Sequence, residues 1–347
     1  MKRLLLCIAA LAMSCGVALA QQGNPINMPA AVGGGQAPCN AFGSNPGKCV
    51  QGNQSGTITQ LTAGIGTAPT VTAGGGSYVN GDTITLADGC STHAVLLVTN
   101  ASGGVIQAGG ISVQTAGICN SPPPNPIAQG STSGSGSAAT FTVANSQWIG
   151  SYAITRTQFR VCLIGGGGGA GGVSNVSGAN ASPGNASPLI CARYVGQTIG
   201  GPISYNLGIP GAGAAAGANN GTAGSNTVFG TVVSTGGSRG NGSSSGNAAA
   251  GAGIANLVAT LPAQLLPTSS VMVESQWSQP QSQGGGAGGT QGASSAWGVG
   301  GAGGANAGGS AATGCGAGGG APSSTQTSVS YAGGNGSGGC IFALTDW

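Results

Sequence analysis

Charge is what this sequence lacks most. Among 347 residues there are 7 Lys+Arg and 4 Asp+Glu, about 3% of the chain, and a single histidine, His93; ordinary proteins carry about 25% charged residues. General acid–base work, paired-carboxylate hydrolysis and metal-assisted chemistry need groups that are scarcely present. Removing Lys2 and Arg3 with a leader would leave a net charge near zero, with no basic patch for nucleic acid. Aromatic residues are also sparse, at 4%. After the first residues no apolar run reaches the ~17–25 residues that a membrane-spanning helix needs.

Chemical motifs fail in the same way. His93 stands three positions after Cys90 in a turn-rich stretch, and no Gly-x-Ser-x-Gly nucleophile pattern accompanies it. Gly165–Gly172 follows an apolar strand but has neither the Lys-Ser/Thr of a phosphate loop nor a dinucleotide fingerprint. No Cys-x2–4-Cys pair supports a zinc site. The expectation is a non-enzymatic chain with no catalytic or metal-binding residues and no cofactor.

What is abundant is glycine. The chain has 74 Gly and 17 Pro, together about a quarter of it, against roughly 12% on average. Such bias marks disordered chains when hydrophobicity is low, but here apolar residues make up 39%. Residues 1–20 place Lys2 and Arg3 before an apolar run and end in Ala18-Leu19-Ala20, the pattern of a cleaved secretory signal peptide. Eight cysteines follow: Cys39, Cys49, Cys90, Cys119, Cys162, Cys191, Cys315 and Cys340. An even number after a leader points to disulfides. Many connectivities are open, and pairing in sequence order (39–49, 90–119, 162–191, 315–340) is the simplest.

Four regions follow from the pattern. Residues 1–20 are the leader, and 21–56 a linker or disulfide-closed arm without periodicity. Residues 57–147 hold short β-branched runs separated by turn formers, at Thr83–Leu86, Ala94–Thr99, Ile111–Thr115 and Ala138–Ala144, which predicts a small antiparallel β module. Residues 148–347 form a glycine-rich β domain. Its strand candidates are Phe159–Ile164, Leu189–Val195, Ile203–Leu207, Val228–Val233, Val271–Trp277 and Cys340–Trp347. Phe159–Ile164 enters five glycines directly, and ordinary sheet cannot continue there.

In residues 284–304 glycine occupies 286, 289, 292, 298, 301 and 304, broken only by Ser295. Three residues per turn is the polyproline II period, and a Gly at each turn lets extended helices pack closely, the polyglycine II arrangement. Collagen would need proline, which this tract lacks; a flexible linker is the competing reading. The fold class expected is mainly β with polyglycine II segments and little helix outside the signal peptide. Trp297 would protrude from such a repeat, and Arg239 sits in the Gly/Ser loop Gly236–Gly246. These two are the candidate receptor contacts.

Two segments carry a resemblance. Gly75-Gly76-Ser77-Tyr78-Val79-Asn80-Gly81-Asp82 with Thr83–Leu86, Ala94–Thr99, Gly103-Gly104-Val105-Ile106, Asn125–Ala128 and Gly134–Val143 resembles a short β module of tailed-phage virion proteins. The strand into Gly165–Gly169, residues 195–217, Asn226–Gly230 and the ending Gly338–Trp347 are similar to the glycine-rich domain of phage tail-fibre and adhesin-like proteins. The resemblance implies stacked polyglycine II segments and, in some members, recognition of bacterial surface receptors through tip loops. The leader and cysteines point to an exported relative, at the cell surface or outside it, or on a virion tail for a phage-encoded chain. The expected partners are a bacterial cell-surface receptor or other structural subunits; a homo-oligomer stays open. The alternative is an exported matrix or surface-coat protein without a specific receptor.

Overall fold

The computed structural model describes residues 58–245, 271–277 and 289–344. Residues 1–20, read above as a signal peptide, the 21–56 arm with Cys39 and Cys49, and Trp347 lie outside them. The fold is mainly β. Among the described residues the one helical element is a 3-10 turn at Asn145–Gln147.

The β module is a six-stranded antiparallel sheet in the order Thr70–Gly76, Ser137–Thr142, Ile127–Thr132, Thr83–Leu86, Val95–Val98, Ile111–Thr115. Alternation drives it: Thr83–Leu86 and Val95–Val98 both bury every second residue, so Ile84, Leu86, Leu96 and Val98 join Tyr78, Phe141 and Trp148 in one core. At ~25 cal/mol per Å² of apolar surface removed from water, this packing is the main stabilising term.

The glycine-rich domain begins as two packed five-stranded sheets. One runs Ile58–Gln60, Cys340–Leu344, Gln158–Ile164, Leu189–Val195, Val271–Trp277; the other runs Val232–Ser234, Thr227–Phe229, Pro202–Asn206, Trp148–Ala153, Gly64–Ile65. Aromatic rings fill the space between them. Phe159 and Tyr194 stack at 4.8 Å, Tyr194 meets Phe229 edge-on at 5.5 Å, and Tyr205 stacks on Phe229 at 6.0 Å. These five-ångström contacts add specific geometry to simple area burial.

Two boundaries differ from the sequence reading. Ile58–Gln60 pairs with Cys340–Leu344 of the glycine-rich domain, while Ala63–Ile65 joins the two parts: Gly64–Ile65 pairs with Trp148–Ala153 on one side, and Ala63 and Ile65 bond Cys119 and Ala116 of the β module on the other. The β module is thus an insertion between that domain's first strand and the rest. The single strand expected at Val228–Val233 is a hairpin instead. Gly230 has φ 55°, and Phe229 pairs with Val232; only a glycine turns there without a steric cost.

Candidate binding end of a glycine bundle

At one end of the paired sheets the strands do not stop; they change character. Gln158–Ile164 continues into residues 165–173, whose N–H groups donate to three different segments in rotation. Gly166, Gly169 and Gly172 bond Ser225, Thr222 and Asn219; Gly167, Ala170 and Val173 bond Ser337, Gly334 and Tyr331; Gly168 and Gly171 bond Asn185 and Ser182, all at 2.8–3.1 Å. The partner number falls by three at each step, so all three segments run antiparallel to 165–173. Its carbonyls accept from three more segments: Gly166, Gly169 and Gly172 from Gly237, Gly240 and Ser243; Gly167, Ala170 and Val173 from Gly211, Ala214 and Gly217; and Gly168 from Gly319. Those run parallel. The register of the last one next reaches Pro322, which carries no N–H.

Residues 165–173 are therefore an extended three-residue-period segment enclosed by six others, the polyglycine II arrangement. A β strand has hydrogen-bonding neighbours on two sides only, whereas this repeat sends its backbone groups out in three directions. Enclosure explains the glycine run. A Cβ at Gly166, Gly167, Gly168, Gly169 or Gly171 would fall within 3.0 Å of the carbonyl of Ile209, Ala317, Ser238, Ala212 or Asn241 respectively.

The change from sheet to bundle is stitched by buried hydroxyls. Gly165 N–H donates to Ser187 Oγ at 2.7 Å and Ser234 Oγ at 2.9 Å, and Ser234 Oγ donates to Pro188 O at 2.7 Å. Thr227 Oγ1 accepts from Gly208 N–H at 2.9 Å and donates to Ile164 O at 2.8 Å. Where the backbone ladders of the two geometries do not meet, these side chains take up the leftover groups.

The tract 284–304 was expected to be one such repeat. Residues 284–288 lie outside the described residues, and the rest is not a single helix. Gly292 N–H donates to Gly301 O across a return, and between them Trp297–Val299 pairs with Thr313–Cys315. Trp297 accordingly does not protrude. It covers the outer face of the five-stranded sheet, 4.2 Å from Phe342 at 60° and beside the Cys162–Cys191 pair. Arg239 also departs from expectation: it lies in no loop but on the extended segment 236–243, where Gly237 and Gly240 face inward and Arg239 outward, exposed. It is the sole charged residue of the bundle among the described residues.

Among the described residues three disulfides are formed, Cys90–Cys119, Cys162–Cys191 and Cys315–Cys340. Each joins neighbours in cysteine order. Cys162 and Cys191 are direct cross-strand partners, and Cys315–Cys340 closes the junction between sheet and bundle. The Asp88 carboxylate, fully buried, accepts from Ala94 N–H at 2.9 Å and Cys90 N–H at 3.1 Å and meets His93 Nδ1 at 2.5 Å. Asp88, Cys90 and Cys119 bring one ligand atom each within 4.8 Å of one another, but both sulfurs are spent on the disulfide. The cluster holds a turn.

Bundle segments reverse at the end away from the sheets, in turns at 174–178, 217–219, 305–307 and 325–330. The turns are tied together: Ser174 N–H bonds Ser243 O, Gly178 N–H bonds Ser324 O, Asn306 N–H bonds Ser323 O, and Gly242 N–H bonds Asn220 Oδ1. Asn175, Val176, Ser177, Asn220, Asn306 and Gln326 are exposed there. Sequence reasoning missed this surface, because its four turns come from separate stretches of the chain. Compared with protein-family models and with curated proteins, the chain matches none.

Proposed function

We propose that this chain is an exported, non-enzymatic adhesion protein of the tail-fibre glycine-rich kind, which presents the far turns of its bundle to a receptor on a bacterial surface. The observation that carries this reading is the convergence of separate turns on one exposed end of a scaffold whose interior is occupied by backbone hydrogen bonds. Such a scaffold fixes turn positions while leaving their side chains free of packing duties. The three disulfides support an extracellular destination.

Labelled full-length protein incubated with a panel of intact bacterial species tests the reading. Retention on some species, lost when the 174–178 and 325–330 turns are replaced by Gly-Ser of equal length, is the expected result. Retention that is insensitive to those replacements points to a matrix or coat role. Absence of retention on every species overturns adhesion.

A further inference from the structure

The far end is built almost wholly of neutral polar groups. From Gly240 to Val273 and from Ser275 to Thr345 the chain has no Asp, Glu, Lys or Arg, and the described turns at 174–178, 217–219, 305–307 and 325–330 have none either. The single charge of the described bundle, Arg239, stands on its flank, between Gly237 and Gly240, which bond the middle of the central segment. Instead the end offers carboxamides and hydroxyls at Asn175, Ser177, Asn220, Asn306 and Gln326. Beside them are small apolar surfaces at Val176, 40% exposed, and Val329, 39% exposed, and the partly exposed ring of Tyr331, whose hydroxyl donates to Gln326 Oε1 at 3.0 Å.

From these observations we infer that the far end takes an uncharged, polyhydroxylated ligand, a neutral saccharide of a cell surface; the inference rests on the adhesion reading above. Phosphorylated or acidic ligands are held by Arg and Lys in charge-assisted bonds, and none is within the end's described turns. Protein partners are gripped by clustered Trp, Tyr and Arg anchors, and the described turns contain no Trp or Arg. Amides and hydroxyls that both donate and accept, next to small apolar patches, match the alternating hydroxyl and C–H faces of a neutral sugar. The turns are also pre-ordered: Asn306, at φ 52°, accepts from Thr325 N–H at 2.7 Å through Oδ1. Less freedom is then lost on binding.

The test uses the full-length protein on a species that retains it. Periodate, which cleaves sugar diols, should lower retention about tenfold or more, a loss of at least ~1.4 kcal/mol. Surface proteolysis should leave it within about twofold, as should raising salt from about 0.05 to 0.5 M, where screening weakens exposed charge pairs. Arg239→Ala should bind normally, and the double variant Asn175→Ala/Gln326→Ala weakly, with both unchanged in thermal unfolding. Loss to protease with survival of periodate identifies a protein receptor, and a steep fall with salt a charged ligand. Either overturns the saccharide inference while leaving adhesion standing; retention by no species removes adhesion itself.

Discussion

Gly168 faces the carbonyl oxygen of Ser238 so closely that a Cβ added to it would lie within 3.0 Å of that oxygen. The neighbour is backbone, not the flexible end of a side chain, so the clash cannot be relieved by a rotamer change. Gly168→Ala is expected to destabilise the chain by about 3 kcal/mol or more, because the segments must move apart and their hydrogen bonds lengthen. Gly76→Ala is the control. No atom lies within 4 Å of its added Cβ and its φ is not positive, so its effect should stay within about 0.5 kcal/mol. Urea unfolding of both variants measures the difference.

Thr227 should be intolerant of an isosteric swap. In Thr227→Val the shape is kept, but Gly208 N–H and Ile164 O lose their partner in a site with no solvent access. Stranding two buried groups should cost about 2–4 kcal/mol, whereas Thr227→Ser, which keeps the hydroxyl, should cost much less. Unfolding midpoints of the three proteins decide it.

Alkali should loosen the paired sheets. Burial raises the Tyr194 phenol well above its ordinary value of 10.0 and raises Tyr205 as well; their hydroxyls donate to Phe229 O and Thr62 O. The folded state therefore keeps protons that the unfolded chain would release above pH 10. Stability is full below that pH and falls above it, by up to about 1.4 kcal/mol per pH unit for each tyrosine. Tyr194→Phe should flatten the fall between pH 9 and 11, read by denaturant titration across that range.

Reduction should be ordered. Cys162, Cys191, Cys315 and Cys340 are at most 7% exposed, whereas Cys90 is partly open to solvent. Thiol–disulfide exchange requires access to a sulfur, so mild dithiol treatment should open Cys90–Cys119 before the other two. Timed alkylation followed by mass spectrometry reads the order among these six cysteines.

The strands were legible in the sequence because apolar β-branched runs bounded by turn formers have one physical reading. Phe159–Ile164 and Leu189–Val195 lie where those runs put them. The bundle was legible only in part. A segment enclosed on all sides, such as 165–173, needs glycine at nearly every position and shows no period. A peripheral segment needs it only on the inward side, which is why Gly237 and Gly240 stand three apart with Arg239 between them. The period sought in 284–304 thus belongs to the rim, and the run of glycines marks the axis. The module boundary was hidden for another reason: Ile58 pairs with Leu344, and nothing local to Ile58-Thr59-Gln60 records so distant a partner. Trp297 was misplaced because its neighbour Gly298 fits a three-residue phase, while its role is to seal Phe342 and the Cys162–Cys191 bridge.

The six-fold enclosure of 165–173 also sets rules for insertion and deletion. Each residue advances the segment by a third of a turn, so gaining or losing one residue within it rotates every later position by 120° and points former inward glycines at the wrong neighbour. Length changes inside the bundle are then tolerable only in threes. The far turns are bound by no such frame and can lengthen by any number of residues. Divergence among descendants of this chain should therefore accumulate as ragged turn lengths on a bundle whose segments differ by whole triplets.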